Sequence, residues 1–204
     1  LRSVRFDGPR GYAITVPVDW VDPLFTLDLS DPANPQQLGE LEMPGWVFHM
    51  EPRGNRIVAI GFDNESSEGA MHVSLFDVSD MTNPTMLERV NFGGDWSWAP
   101  EDQDRIHKAL KIVEEQNLIL VPHSHWDYDY DTGCSSYDSG IQLIDWANDT
   151  LTLRGSASTR GQARRALLHK NRMLALSDEA LRSYDISDRD APAQTDQLLL
   201  ASIT

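Results

Sequence analysis

The chain has one cysteine, Cys134, in 204 residues, which excludes an internal disulfide framework and a cysteine-rich zinc site. No stretch approaches the roughly 18 consecutive apolar residues of a membrane-spanning helix, so no membrane insertion by this segment is expected. Basic residues are scarce: 17 Lys and Arg stand against 32 Asp and Glu, a formal net charge of −15. A surface of that sign repels phosphate backbones and anionic lipids, and nucleic-acid binding is not expected. The N-terminus LRSVR has neither the apolar core nor the cleavage site of a signal peptide. Its first residue is not Met, so the sequence reads as a processed or excised part of something longer. No Gly-x-Ser-x-Gly elbow surrounds Ser30, Ser79 or Ser187, which disfavours a serine hydrolase.

What is present is a globular composition, 40% hydrophobic with 17 aromatics, and an internal repeat. LFTLDLSDPANP at residues 24 to 35 is echoed by VSLFDVSDMTNP at residues 73 to 84. RSYDISDRDAP at residues 182 to 192 keeps the same frame, and QLIDWAND at residues 142 to 149 is a degraded fourth copy. The repeated aspartates are Asp28, Asp77, Asp145 and Asp185, spaced 49, 68 and 40 residues apart. That is close to the roughly 40 to 45 residues of a four-stranded propeller blade once two insertions are set aside. Ahead of the aspartates lie paired hydrophobic runs with a turn between them, such as VFHM and IVAIG, or ALLH and MLALS. They read as strands a and b of a meander, with the aspartate on strand c and a short strand d beyond. Asx side chains accept from backbone amides two residues on, and each Pro removes a ladder donor, so strand pairing stops at these turns. Residues 105 to 115 are the one stretch that would allow a brief helix, but residues 107 to 113 fall where the third unit needs its strand a and are read as strand. The sequence predicts an all-β protein, a β-propeller of about four blades at residues 3–41, 46–90, 105–157 and 161–203.

Residues 3 to 16 (SVRFDGPRGYAITV), Asp22 to Pro35, LGEL from Leu38, the Pro44-Gly45-Trp46 turn, His49, Ser74 to Asp80 and His107-Lys108-Ala109 follow in a specific order. Together they cover most of residues 3 to 122. This order resembles the bacterial and archaeal secreted proteins that carry a C-terminal β-propeller domain distantly related to WD repeats. The resemblance implies that the four blades are about half of a ring of seven or eight, completed by the remaining blades of the same precursor or by a second copy. It also implies an extracellular or cell-surface location. Since such proteins are described by fold and export, the analogy favours a non-enzymatic interaction scaffold with a protein or glycan ligand and assigns no catalytic or cofactor-binding residue. The alternative is a metal-dependent, calcium-binding protein or an enzyme with its site at the propeller channel or the Asp-rich loop.

The sharpest chemical signal is an Asp-rich insertion, residues 123 to 139. Asp127, Asp129 and Asp131 alternate and are followed by Gly133, a spacing that suits an oxygen-ligand calcium loop because adjacent carboxylates need a hard cation to relieve their repulsion. The spacing departs from an EF-hand, so calcium is the one cofactor proposed and an exposed, solvated loop is the alternative. His123, His125 and Cys134 form a second candidate set, suited to zinc or copper. His49, His107 and His169 fall on strand a of successive units and are expected to hydrogen-bond a buried Ser, Thr or Asp, while His72 lies on a neighbouring strand. Residues 150 to 177 carry Arg154, Arg160, Arg164, Arg165, Lys170 and Arg172 with no acid, a segment suited to salt bridges between blades or to an acidic ligand. Trp96 and Trp98 form either a binding loop or packing over a blade edge. Asn64 and Asn148 open glycosylation sequons.

Overall fold

The computed structural model describes residues 1–15, 22–63, 69–94, 97–99, 106–129 and 131–200. It is built of antiparallel sheets, each a meander of sequential strands. The chain divides into two compact units, residues 1–68 with 72–91, and residues 69–71 with 92–204.

In the first unit, β1 (Ser3–Asp7), β2 (Arg10–Ile14), β3 (Asp22–Asp28) and β4 (Gln36–Met43) form one blade. β5 (Trp46–Arg53), β6 (Arg56–Phe62), β7 (Met71–Asp77) and β8 (Thr85–Phe92) form the next. Tyr12, Ile14 and Leu24 pack with Val47, Met50, Ile57 and Phe76 in a core shared by the two sheets. In the second unit, β9 (Ser97–Trp98), α1 (Ile106–Ala109), β10 (Lys111–Val113), β11 (Leu118–Asp129), β12 (Cys134–Ala147) and β13 (Thr150–Ser158) build the third blade. The fourth blade is β14 (Ala163–His169), β15 (Arg172–Ser177), β16 (Ala180–Asp185) and β17 (Ala193–Leu199). Leu118, Leu120, Ile141 and Leu143 meet Ala166, Met173, Ala175 and Tyr184 in its core.

Three of the four aspartates end their strands as expected. The Oδ1 atoms of Asp28, Asp77 and Asp185 accept the amides of Ser30, Ser79 and Ser187, each at 2.8 Å. Three residues further on, Asp31, Asp80 and Asp188 repeat the device on Ala33, Thr82 and Asp190. These tandem Asx turns exhaust local donors and release the chain toward strand d.

The turns also seat one blade on its neighbour. Thr26 Oγ1 donates to the Met81 carbonyl, and a Cβ on Gly39 would stand 2.5 Å from that oxygen and 2.8 Å from Pro84 Cδ. In the second unit the Gly155 amide donates to the Arg189 carbonyl at 2.9 Å, and a Cβ there would press into the Asp190 carbonyl and stand 2.8 Å from Pro192 Cδ. Both glycines lie on strand d at a register shift, where a side chain would hold the next turn away.

Asp145 departs from the pattern. The strand runs two residues beyond it, and its carboxylate takes Arg154 Nε at 2.8 Å and Arg189 Nη1. The sequence after it, WAND, lacks the Ser-Asp-x-x-Asn-Pro turn, so the carboxylate is left to bind the Arg189 turn of the fourth blade. Arg154 continues the network to Asp190 at 3.2 Å. Residues 107 to 113 also differ from expectation. Ile106, Ala109 and Leu110 are buried while His107 and Lys108 are exposed, the i, i+3, i+4 spacing of a helical face. One helical turn forms, and only Lys111–Val113 pairs with β11.

Candidate functional site

The Asp-rich segment is not a loop. β11 and β12 continue past the blade as one ladder of twelve pairs, from Leu118↔Asp145 to Asp129↔Cys134. The reason is a period-2 pattern: Trp126, Asp127, Tyr128 and Asp129 alternate aromatic and acid, which a two-stranded ribbon sorts onto opposite faces. β9 joins the edge of β11 beyond the point where β10 stops, pairing Trp98 with Ser124 and Ser97 with His125.

One face of the ribbon is aromatic. Trp126 lies directly across from Tyr137, with ring centroids 5.1 Å apart, and Trp98 lies 6.0 Å from Tyr137. The Tyr137 hydroxyl donates to Ser124 Oγ at 3.1 Å, which fixes the ring. Trp126 is 50% exposed, Tyr128 52% and Tyr137 37%, so three large rings of one hairpin arm face solvent together. Isolated exposed apolar residues need no explanation, but a contiguous aromatic surface marks a contact site.

The other face carries His123, His125, Asp127 and Asp129, with Asp138 across from His125. His123 is 2% exposed, stacked 6.1 Å from His125 and edge-on to Phe92 at 5.7 Å. Its Nε2 lies 3.1 Å from Ser156 Oγ. Burial pushes the imidazole down to about 4, with Asp138 opposing and His125 reinforcing the shift, so it is neutral at pH 7. A Cβ on Gly94 would stand 2.9 Å from His125 Cδ2, which places this segment against the imidazole.

A model of the beta propeller domain family matches residues 1–189. This chain belongs to that family. Two archaeal relatives carry a similar stretch within longer proteins. An uncharacterised protein of Archaeoglobus fulgidus is 30% identical over 183 residues, 90% of this chain and 25% of the relative. An uncharacterised protein of Methanocaldococcus jannaschii is 38% identical over 121 residues, 59% of this chain and 18% of the relative. The chain thus spans a quarter or less of the length of these relatives.

Within this propeller domain, the three aspartates offered as calcium ligands occupy the outer hairpin. Asp127 and Asp129 share a face, and Asp131 sits in the tip turn. Asp129 Oδ1 accepts the amides of Asp131 at 2.8 Å and Thr132 at 3.2 Å; the Thr132 hydroxyl and these two amides hold its carboxyl below the usual range. Among the described residues no three His, Cys, Asp or Glu side chains are gathered as a cation ligand set.

The zinc or copper set does not assemble. Cys134 pairs with Asp129 at the tip, six ladder positions from His123, a separation of roughly 20 Å at strand rise. The histidine expectation also needs correction. His49 is buried but bonds Arg5 Nη2 at 2.7 Å and Glu51 at 2.9 Å, while His107 and His169 are exposed. Serine partners belong instead to His72, 3.1 Å from Ser74 Oγ, and to His123. Trp96, Asn64 and Ser66 lie outside the described residues. What sequence reasoning missed is the aromatic face: Trp126, Tyr128 and Tyr137 were adjacent to the aspartates, and the same alternation that suggested a cation loop is the signature of a strand.

Proposed function

We propose that this propeller domain is a non-enzymatic interaction scaffold of an exported or cell-surface protein, contacting its partner through the projecting hairpin of the third blade. The observation that carries the proposal is the shared face of Trp126, Tyr128 and Tyr137, exposed on an arm that extends beyond its blade, with half-buried Trp98 of β9 against its base. The carboxylates of Asp127 and Asp138 on the opposite face, and the net charge of −15, suit a partner rich in Lys and Arg. Such side chains gain cation–π contact with the rings while the acids raise the encounter rate. The remaining blades of the longer protein, or a second copy, complete the ring in this proposal.

Calorimetric titration of the 204-residue chain with a Lys/Arg-rich peptide tests it, with a neutral oligosaccharide as the second ligand. Trp126→Ala and Tyr137→Ala should each weaken peptide binding about tenfold, the 1.4 kcal/mol scale of an aromatic anchor. Binding unchanged in both variants, or preference for the oligosaccharide, contradicts the cationic-partner proposal. Calcium bound by Asp127, Asp129 and Asp131 is a second proposal, favoured by the placement of Asp127 and Asp129 two residues apart on one face.

A further inference from the structure

The propeller repeat supplies its own control for a second site. The a–b turns of three blades are two-residue hairpins closed by the pairs Asp7↔Arg10, Arg53↔Arg56 and His169↔Arg172. The first turn residue has positive φ in all three: Gly8 at 59°, Gly54 at 62° and Lys170 at 54°. Glycine is the ordinary choice there, because it alone enters this region without a Cβ clash. Every other non-glycine residue with positive φ among those described is Asn or Asp, types that tolerate the conformation. Lys170 is therefore a strained exception at a position where its sister blades use glycine. Strain of this kind persists where surrounding structure holds it and points to function. The holding contact here is Gln116 Nε2, which donates to the Lys170 carbonyl at 3.1 Å.

The arginine beside the turn is exceptional as well. Arg10 donates to the Gly54 carbonyl and Asn55 Oδ1, both at 3.1 Å. Arg56 pairs with Asp77 at 2.7 Å. Their counterpart Arg172 lies across from Asp185 yet makes no hydrogen bond or ion pair with any described residue. Asp185 Oδ1 is instead held by the amide and hydroxyl of Ser187 at 2.8 and 2.7 Å, and Asn171 Nδ2 donates to Ser187 Oγ at 3.3 Å. Half of the basic segment is already paired: Arg154 with Asp145, Arg160 with Glu179, and Arg164 with Asp178. The side chains of Arg165, Lys170 and Arg172 are left without a hydrogen bond or ion pair to a described residue, Arg172 acting on Asp185 only through its charge. Lys170 and Arg172, with His169, Asn171 and Asp185, line one open groove of about 450 Å³.

We propose that this groove binds a tetrahedral oxyanion, the phosphate or sulfate group of a small ligand. A guanidinium supplies a planar fork matched to such oxygens, and the ammonium supplies a point charge beside it. The left-handed turn places a lysine where the sister blades have no side chain at all. Asp185, the acid of the groove, leaves its single charge against those of Lys170 and Arg172.

The test uses the full 204-residue chain with inorganic phosphate, inorganic sulfate, glucose 6-phosphate and glucose 6-sulfate, each against sodium chloride at equal ionic strength. Thermal unfolding and calorimetric titration are the readouts. Phosphate and sulfate should raise the unfolding midpoint above the chloride control, since a ligand of the native state stabilises it by mass action. Tighter binding of the sugar esters assigns the group to an ester ligand; equal binding assigns it to the free ion. Lys170→Gly should weaken anion binding about tenfold and at the same time raise the midpoint without anion by about 2 °C, by releasing the strained turn. Arg172→Gln should weaken binding similarly, and Arg56→Gln in the sister turn should leave it unchanged. The proposal is overturned by a chloride response equal to that of sulfate, by undiminished binding in Lys170→Gly and Arg172→Gln, or by a Lys170→Gly midpoint at or below that of the parent chain.

Discussion

Replacing Gly155 by Ala tests how the propeller blades are held together. A Cβ at this position enters the space of the Asp190 carbonyl and stands 2.8 Å from Pro192 Cδ. Both obstacles belong to a turn locked by the Asp188 carboxylate on the Asp190 amide, so neither moves as a flexible side chain would. Overpacking against such a wall costs about 1–3 kcal/mol. Displacing the turn also stretches the bond from the Gly155 amide to Arg189, worth about 1 kcal/mol. The sum, about 2–4 kcal/mol, lowers the thermal midpoint of a domain this size by roughly 5–15 °C. Gly39→Ala should behave alike, because Met81 and Pro84 stand to Gly39 as Asp190 and Pro192 stand to Gly155. Gly8→Ala is the contrasting case: nothing lies within 4 Å of its Cβ, so only its positive φ is strained and about 1 kcal/mol is expected. Scanning calorimetry on the three variants decides the matter. Gly39→Ala and Gly155→Ala midpoints within a degree of the parent, or no lower than that of Gly8→Ala, would refute the seating of each turn on its neighbour's glycine.

Three further outcomes follow from the same geometry. Asp145→Ala removes the acceptor shared by Arg154 and Arg189, leaving Arg154 to Asp190 and Arg189 to the Gln116 carbonyl, and should cost about 1–3 kcal/mol in denaturant unfolding, whereas Asp145→Asn, which keeps one acceptor, should cost less. Burial, with Arg89 adding to it, lowers His72 to about 3, and burial lowers His123 to about 4. Their unfolded pKa is about 6.5, so the unfolded chain binds more protons below that pH. Native stability is therefore full above about pH 6.5 and is lost as pH falls toward 4 and then 3. Urea midpoints across pH 7 to 4 should show a decline that His123→Gln makes shallower. Calcium at the hairpin tip is checked by unfolding with and without millimolar calcium: binding at one hundred times the Kd adds about 2.7 kcal/mol, and Asp127→Asn should abolish the gain.

The propeller was legible in the sequence where local chemistry and topology agree. Asp28, Asp77 and Asp185 could be read because an Asx turn is a short-range device: the residue two positions on supplies its donor, and Pro or Gly marks the exit. Asp145 shares the strand sequence but not the turn, and its partner Arg189 is 44 residues away, beyond any local signal. Ile106 to Leu110 was obscured by topology itself, since the repeat demanded a strand where the apolar spacing is helical. The hairpin of the third blade was hidden by a double meaning. Alternating aspartates suit both a cation loop and one face of a ribbon, and only the register opposite Tyr137 and Asp138 separates the two. Histidine roles were set by cross-strand neighbours, as with His123 and Ser156, and these depend on a bulge between Gln142 and Ile144 that has no sequence mark.

In the proposed function, the aromatic face of the third-blade hairpin is free in this chain and is the surface a partner covers. Oxidative footprinting of the 204-residue chain, alone and saturated with the Lys/Arg-rich peptide, measures this residue by residue. Trp126, Tyr128 and Tyr137 should react rapidly in the free chain and become protected together on binding, while exposed Phe6 on the first blade keeps its rate. Slow oxidation of these rings in the free chain, or protection elsewhere with the hairpin unchanged, would contradict the claim.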